Sequence, residues 1–364
     1  MTAKRSRRDF IKAGAAALGA APLAALAALA AEPADAALAA LDPASIVARF
    51  AALPGDVGFE IRVPAVAGGD DFVAQLQADR RLFCASSLKT FALCETLRQH
   101  DAPDVVAQLE QRALILDSSI WSFGSPIYNP PDLYGMVSLR SALEAMILRS
   151  DNTATDMVFK AAGVANIRHF IAAAGLARTS VPDSTRALTG YLCGAPNYAS
   201  LDWEQLLAVA QQPMIHPFLN DVQSLASSAG DFVSYYARAL QGEFFAHAQT
   251  LQEFRRILTL CDYIYLIPLP LGASAWGKSG NADIEGFHAR CFAGGMYSYG
   301  RWMYFAFVIN WYAQAASDPA TVDAWRAAIE QSLAQLQGAL GGQRPQLAPP
   351  LRAPPTTGSA HRPT

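Results

Sequence analysis

The chain uses lysine sparingly: Lys4, Lys12, Lys89, Lys160 and Lys278 are all it has, among 28 lysines and arginines together. Arginine serves wherever a solvated positive charge is enough, but its guanidinium does not give up a proton at accessible pH. Lysines retained in an arginine-preferring chain therefore point to amine chemistry. Lys89 closes Ser86-Ser87-Leu88-Lys89, Lys278 opens Lys278-Ser279-Gly280, and Ser150-Asp151-Asn152 lies between them. An amine one helical turn from a serine can take the hydroxyl proton and leave the oxygen a nucleophile. At average residue frequencies, three such short motifs in this order have a chance probability on the order of one per cent.

Each motif needs an element to position it. Apolar residues recur at helical spacing from Leu88 through Leu93 to Leu97. Ser86 is therefore expected near the first turn of a helix, with Lys89 on the same face. There its hydroxyl sits near the positive end of the helix dipole, and its backbone N–H is free to donate to an oxyanion. Ser150-Asp151-Asn152 falls between two helical patterns, Ser141 to Leu148 and Ala154 to Ala162. All three residue types cap helices, and Asp156 adds charge to the first turn. The same loop can also aim the Ser150 hydroxyl and the Asn152 amide into a cleft. Before Lys278, residues 271–277 are small and aromatic, as in a strand approached closely by another backbone. A substrate backbone could lie along that edge, with Lys278 and Ser279 meeting its carboxylate.

With these motifs, the sequence resembles the class A β-lactamase and penicillin-recognising serine hydrolase superfamily, from about Pro43 to Gly338. The likeness includes a first helix (Ile46, Val47, Phe50), a strand at Gly58 to Val63 and a helical stretch from about Thr90 to Ile257. Two strands, Phe287 to Gly294 and Trp302 to Trp311, follow the Lys278 strand. A last helix opens at Asp318-Pro319 with the stripe Val322, Trp325, Ile329, Leu333 and Leu336. The resemblance implies an α/β (α+β) fold: a mixed, mostly antiparallel sheet flanked by the N- and C-terminal helices. An all-helical subdomain, roughly residues 84–258, is inserted, and the site lies between the two parts. The helix-rich middle and strand-rich end agree with this independently.

The resemblance also implies roles. Ser86 would be the acylated nucleophile and Lys89 its base. Ser150 would return the proton to the leaving nitrogen, and Asn152 would border the substrate. Lys278 and Ser279, beside Gly280, would bind a carboxylate, and the backbone N–H groups of Ser86 and Asn281 would form the oxyanion hole. A further cation on the next strand could be His288 or Arg290, which share a face by period-two alternation and could equally be structural. The implied ligand is a small β-lactam or a peptidoglycan-like peptide, without a cofactor. The implied activity is hydrolysis of β-lactam amides. The alternatives are a D-alanyl-D-alanine peptidase or esterase trapped by β-lactams, and a binding protein that does not hydrolyse them.

One departure bears on turnover. Class A enzymes carry an omega-loop glutamate that activates the deacylating water, and this chain has no glutamate between Glu144 and Glu204. In residues 175–186 the carboxylate is Asp183, either a displaced base or a cap on the turn after Pro182. The segment between the second and third motifs is also long, with the extra residues expected between Gly190 and Gly242.

Composition bounds the remainder. At 364 residues and 52% apolar, the chain can bury one or two coupled cores. A net charge of −3 and the lack of a basic, aromatic-interleaved stretch argue against nucleic acid. The histidines and cysteines show no His-x-x-x-His or Cys-x-x-Cys spacing, so no metal is expected. Five cysteines allow two disulfides and one free thiol, with Cys84 read as a small buried residue. Ser6-Arg7-Arg8-Asp9-Phe10-Ile11-Lys12 is a twin-arginine motif, followed by an Ala/Leu run and a cleavage site at Ala28-Leu29-Ala30. Residues 1–31 are thus expected to export a 32–340 hydrolase domain to the periplasm or medium, with no membrane anchor left after cleavage. Residues 341–364, rich in proline, read as a disordered tail.

Overall fold

The computed structural model describes residues 35–66, 69–261 and 269–341. The twin-arginine segment and the tail beyond Gly341 lie outside them.

After a short helical stretch at residues 35–39, Asp42 and Pro43 start the helix α1 (Pro43–Ala51): the Asp42 carboxylate accepts from Ala44 N, and proline suits the first turn. Strands β1 (Asp56–Val63), β2 (Phe72–Leu76) and the two-residue β3 (Leu82–Phe83) follow. A 3-10 turn, Ala85–Leu88, then runs directly into α2 (Lys89–Gln99). After α3 (Val105–Gln111) come short strands β4 (Ala113–Leu116) and β5 (Gly135–Ser138), which pair with each other. The helices α4 (Leu139–Leu148), α5 (Asn152–Ala162), α6 (Val164–Ala173), α7 (Thr185–Leu192) and α8 (Trp203–Val209) follow. Then come β6 (Ala226–Ser227), α9 (Ala229–Ala239) and α10 (Ala248–Leu258). Three long strands, β7 (Ser274–Ile284), β8 (Phe287–Ser298) and β9 (Arg301–Trp311), precede the final helix α11 (Pro319–Gly341).

The main sheet has the order β2-β1-β9-β8-β7. Every pairing in it is antiparallel, where a mixed sheet was expected. Tight turns join β7 to β8 and β8 to β9, and β9 returns beside β1, so no parallel crossover is required. The inserted part is also not wholly helical, since it holds the β4–β5 ladder and β6, which pairs with β3.

Strand alternation sends the two faces of β9 to different helices. Phe307 stacks on Phe50 of α1 at 5.3 Å, and Phe50 also meets Phe59 at 4.2 Å. On the opposite face, Tyr304 receives a hydrogen bond from Gln241, just beyond α9. The terminal helices are tied together by Arg49, which donates to Ser332 and Gln335 of α11. In α11 the stripe Trp325, Ile329, Leu333 and Leu336 is buried, as its spacing predicts. All five cysteines are free thiols, so neither of the two disulfides that their number allows is formed; Cys84, Cys94, Cys261 and Cys291 are buried and Cys193 is partly buried.

Candidate active site

The Ser86 turn is held on both sides. Phe83 pairs with Ala226, and Cys84 N donates to Leu225 O (2.8 Å). The chain then bends sharply, with Ala85 in the left-handed region at φ 49°, a conformation uncommon for non-glycine residues. Ala85, Ser87 and Leu88 are buried, which leaves Ser86 as the partly exposed residue of the turn. Ser87 is internal: its hydroxyl lies 3.3 Å from Lys278 O and 3.4 Å from Cys291 O, fixing the turn to β7 and β8. Gly280 permits this closeness. A Cβ there would lie 2.2 Å from Cys84 O and 2.8 Å from both Ser86 N and Ser87 N. The third motif thus ends in glycine because its backbone presses against the first.

Lys89 begins α2 one turn after Ser86 and is buried. Its Nζ donates to Ser150 O (2.6 Å) and Asn152 Oδ1 (2.7 Å), and Ser150 Oγ lies 3.3 Å away. Two short donations use both N–H bonds of a neutral amine and leave its lone pair for an incoming proton. Burial pushes this amine well below the ordinary lysine range, and the Lys278 charge adds to the push; Asp151 and Asp156 oppose it. Lys278, also buried, donates to the same Ser150 hydroxyl (3.2 Å) and to Ser279 O (2.9 Å). One hydroxyl therefore stands between two lysines from the first and third motifs.

Ser150 can offer both its carbonyl and its hydroxyl to Lys89 because it too is left-handed, at φ 57°. Asp151 stabilises that bend. Buried and capping α5, it accepts from Ala154 N (2.8 Å), Ile127 N and Tyr128 N (2.9 Å each). Asn152 is held from the other side: its Nδ2 donates to Phe123 O (2.8 Å), and its N donates to Gly124 O (3.2 Å). With its amide nitrogen fixed there, its oxygen must face Lys89. The bracing loop at 122–125 carries no motif, and nothing in the sequence marks it.

Other candidates lie elsewhere. Asp183 is exposed and its carboxylate is engaged by Arg168 (2.8 Å) and Gln223 (2.7 Å), not by any residue of the lysine–serine cluster. Ser184, the next residue, caps α7. His288 and Arg290 do share a face, but both bind Asp283, at 2.9 and 2.7 Å, and both meet the Trp311 ring. His288 is fully buried, so these two groups form a structural cluster at the end of β7–β8. Ser279 is buried with its hydroxyl 3.9 Å from the Cys261 thiol, and Asn281 is exposed on the outermost strand of the sheet.

Asp156 does more than add charge to the first turn of its helix. It is buried one turn past Asn152 and accepts from Thr185 N (2.6 Å), Thr185 Oγ1 (2.9 Å) and Arg186 N (3.2 Å). Burial pushes its carboxyl up to about 6, against the Thr185 and Arg186 hydrogen bonds. It ties α7 to α5 directly behind Asn152, and its i+4 spacing from Asn152 was the only sequence sign of this. Among the described residues, no group of three His, Cys, Asp or Glu side chains is placed to hold a metal ion.

Comparison with known proteins adds to this geometry. No curated protein matches the chain. Among solved structures, it is similar to PBP-A (17% identity, TM-score 0.60), covering 80% of this chain and 94% of that one. It is also similar to TLA-1 extended spectrum beta-lactamase (15%, TM-score 0.61, covering 85% and 99%). A beta-lactamase from Sphaerobacter thermophilus is similar as well (18%, TM-score 0.59, covering 84% and 100%). At these identities the likeness is one of fold. The model of the beta-lactamase enzyme family matches residues 45–285, a span that holds all three motifs and their converging lysines, and the chain belongs to that family.

Proposed function

We propose that this protein is a serine hydrolase that opens β-lactam amides by forming an acyl-enzyme on Ser86. The observation that carries the proposal is the Ser150 hydroxyl standing between Lys89 and Lys278, with the partly exposed Ser86 one turn before Lys89. In the first half-reaction, neutral Lys89 takes the Ser86 proton as Oγ attacks the carbonyl carbon. The backbone N–H groups of Ser86 and Asn281 receive the developing oxyanion. As the amide C–N bond breaks, Ser150 gives its proton to the leaving nitrogen and regains one from Lys89. Asn152 orients the substrate amide, and Lys278 with Ser279 receives the substrate carboxylate. In the second half-reaction water attacks the ester and gives its proton to Lys89, which passes it to Ser86 Oγ as the ester C–O bond breaks, so both residues are restored.

The second half is the slower one in this proposal. Asp183 is committed to Arg168 and Gln223, so no carboxylate is assigned to the deacylating water. Lys89 then has to activate the water without a dedicated carboxylate, and loss of such a positioned base slows a step by about 10²–10⁴-fold. The same observation favours a second reading, a peptidase or penicillin-binding protein that β-lactams acylate and leave only slowly. The twin-arginine segment supports export to the periplasm for either. A nitrocefin assay on wild type and Asp183→Asn, read as burst and steady state, tests the proposal. A burst followed by slow turnover, unchanged by the substitution, is expected. Rapid turnover abolished in Asp183→Asn would show that Asp183 is the base after all.

A further inference from the structure

On the sheet edge opposite β7, a cavity of about 560 Å³ opens between the helical stretch at residues 35–39, the end of β1 and the outermost strand β2. Leu38, Val63 and Phe72 give it a buried apolar floor. Asp35, Asp70 and Asp71 stand along it, the last two exposed, and no lysine, arginine or histidine lines it.

The walls of this groove are fixed to the end of α11. Asp71 accepts from Ala65 N (3.1 Å), and Asp35 accepts from Val66 N (3.3 Å). Asp35 also pairs with Arg301 Nη1 (2.7 Å), while Arg301 Nη2 donates to Pro64 O (2.5 Å). Arg301 opens β9, two residues after Tyr299 in the β8–β9 turn, and α11 ends against Tyr299: a Cβ on Gly341 would lie 2.5 Å from its ring. Two residues span at most about 7 Å, so the chain leaves α11 close to the groove. Residues 342–364, outside the described residues, are proline-rich and carry Arg344, Arg352 and Arg362 with no aspartate or glutamate. Leu347 and Leu351 fall between the first two arginines. The three residues from Gly341 to Arg344 cover about 10 Å when extended, enough to enter the groove.

We propose that residues 344–352 of this chain dock in the groove, with Leu347 and Leu351 on Leu38, Val63 and Phe72, and Arg344 and Arg352 beside Asp70 and Asp71. The match is one of pattern: an apolar floor flanked by acids receives apolar side chains flanked by bases. Proline restricts such a segment before it binds, so it loses little freedom on lying in a groove, and a modest contact suffices. The docked segment straps the outermost strand to α11 and covers an edge that is otherwise open to another chain. This inference does not rest on the acyl-enzyme function.

Lysine scarcity makes the test clean. Beyond the leader the lysines are Lys89 and Lys278, both buried, and exposed Lys160. Arg344→Lys and Arg352→Lys, made singly in the full chain, keep the charge and add an amine that a zero-length carbodiimide joins to a touching carboxylate. Peptide mass mapping should find at least one of the two positions joined to Asp70 or Asp71 within one chain. No such cross-link in either folded variant, or a link formed only between two chains, overturns the proposal. Hydrogen exchange at residues 63–66 and 69–73 gives a second reading without substitution. A short tether supplies an effective concentration in the mM range, so a contact with a Kd of about 0.1 mM slows exchange about tenfold. The full chain should show that protection relative to a chain ending at Gly341, and equal exchange in the two sinks the proposal even where a cross-link forms. Should the shortened chain not fold, Asp70→Lys decides. It leaves the Asp71 bond to Ala65 intact and should lose most of the protection, whereas wild-type exchange in it overturns the proposal.

Discussion

Replacing Gly280 by alanine should damage chemistry far more than stability. The added Cβ would stand 2.2 Å from Cys84 O, whereas a carbon and a carbonyl oxygen in contact settle at about 3.3 Å. Strand β7 and the Ser86 turn must therefore move apart by roughly 1 Å. Overpacking of this kind costs about 1–3 kcal/mol of stability. A displacement of that size between reacting groups costs about 10²-fold in rate. Gly277→Ala is the matched control on the same strand. Its Cβ would lie 2.4 Å from Ala293 O and 3.0 Å from the Gly294 Cα, so it strains the β7–β8 pairing without touching Ser86. Urea unfolding and the rate of labelling by a fluorescent penicillin separate the two effects. Both variants should lose comparable stability, and only Gly280→Ala should lose about two orders of magnitude in labelling. Wild-type labelling in a folded Gly280→Ala protein would refute the claim that strand and turn must touch for the site to work.

Lys89→Arg should keep the fold yet abolish acylation, because a guanidinium cannot accept the Ser86 proton; labelling kinetics on the purified variant measure this. Acylation should rise with pH along a limb set by loss of the Lys89 proton, well below the ordinary lysine range. Asp156→Asn removes a negative charge that favours the protonated amine, so it should move the limb to lower pH in a pH–rate profile. Asp156 itself should appear in the pH dependence of stability. With its carboxyl raised from 3.8 to about 6, the folded state holds a proton that the unfolded chain has released between those values. Its contribution is therefore most favourable below about 4 and is lost as pH rises through about 6, by up to about 3 kcal/mol. Urea midpoints from pH 4 to 7 should fall less steeply with rising pH in Asp156→Asn than in wild type.

The sequence exposed the parts of the site whose chemistry depends on residue type. Lys89 and Lys278 stood out because arginine cannot do their work, and the helical spacing around Leu88, Leu93 and Leu97 placed Ser86 near the first turn of a helix, where the structure has a 3-10 turn leading into α2. The long strands and the α11 stripe were legible for a similar reason, since period-two and period-3.6 burial is written directly into residue order. The support behind the motifs was not legible. Phe123 and Gly124 brace Asn152 through backbone carbonyls, which leave no mark on side-chain identity. Asp183, His288 and Arg290 were judged by position along the chain, but partners distant or opposite in the fold, Arg168, Gln223, Asp283 and Trp311, decide what those groups do. Asp156 resembled an ordinary helix-start charge because its partners, Thr185 and Arg186, lie on another helix.

The central claim, a covalent acyl-enzyme on Ser86, is tested most directly by intact-protein mass spectrometry after brief exposure to benzylpenicillin. Wild type should gain the mass of one penicillin, with the adduct on the Ser86 peptide after digestion, and Ser86→Ala should gain none. An adduct that persists in Ser86→Ala, or that maps to buried Ser87, would contradict the account.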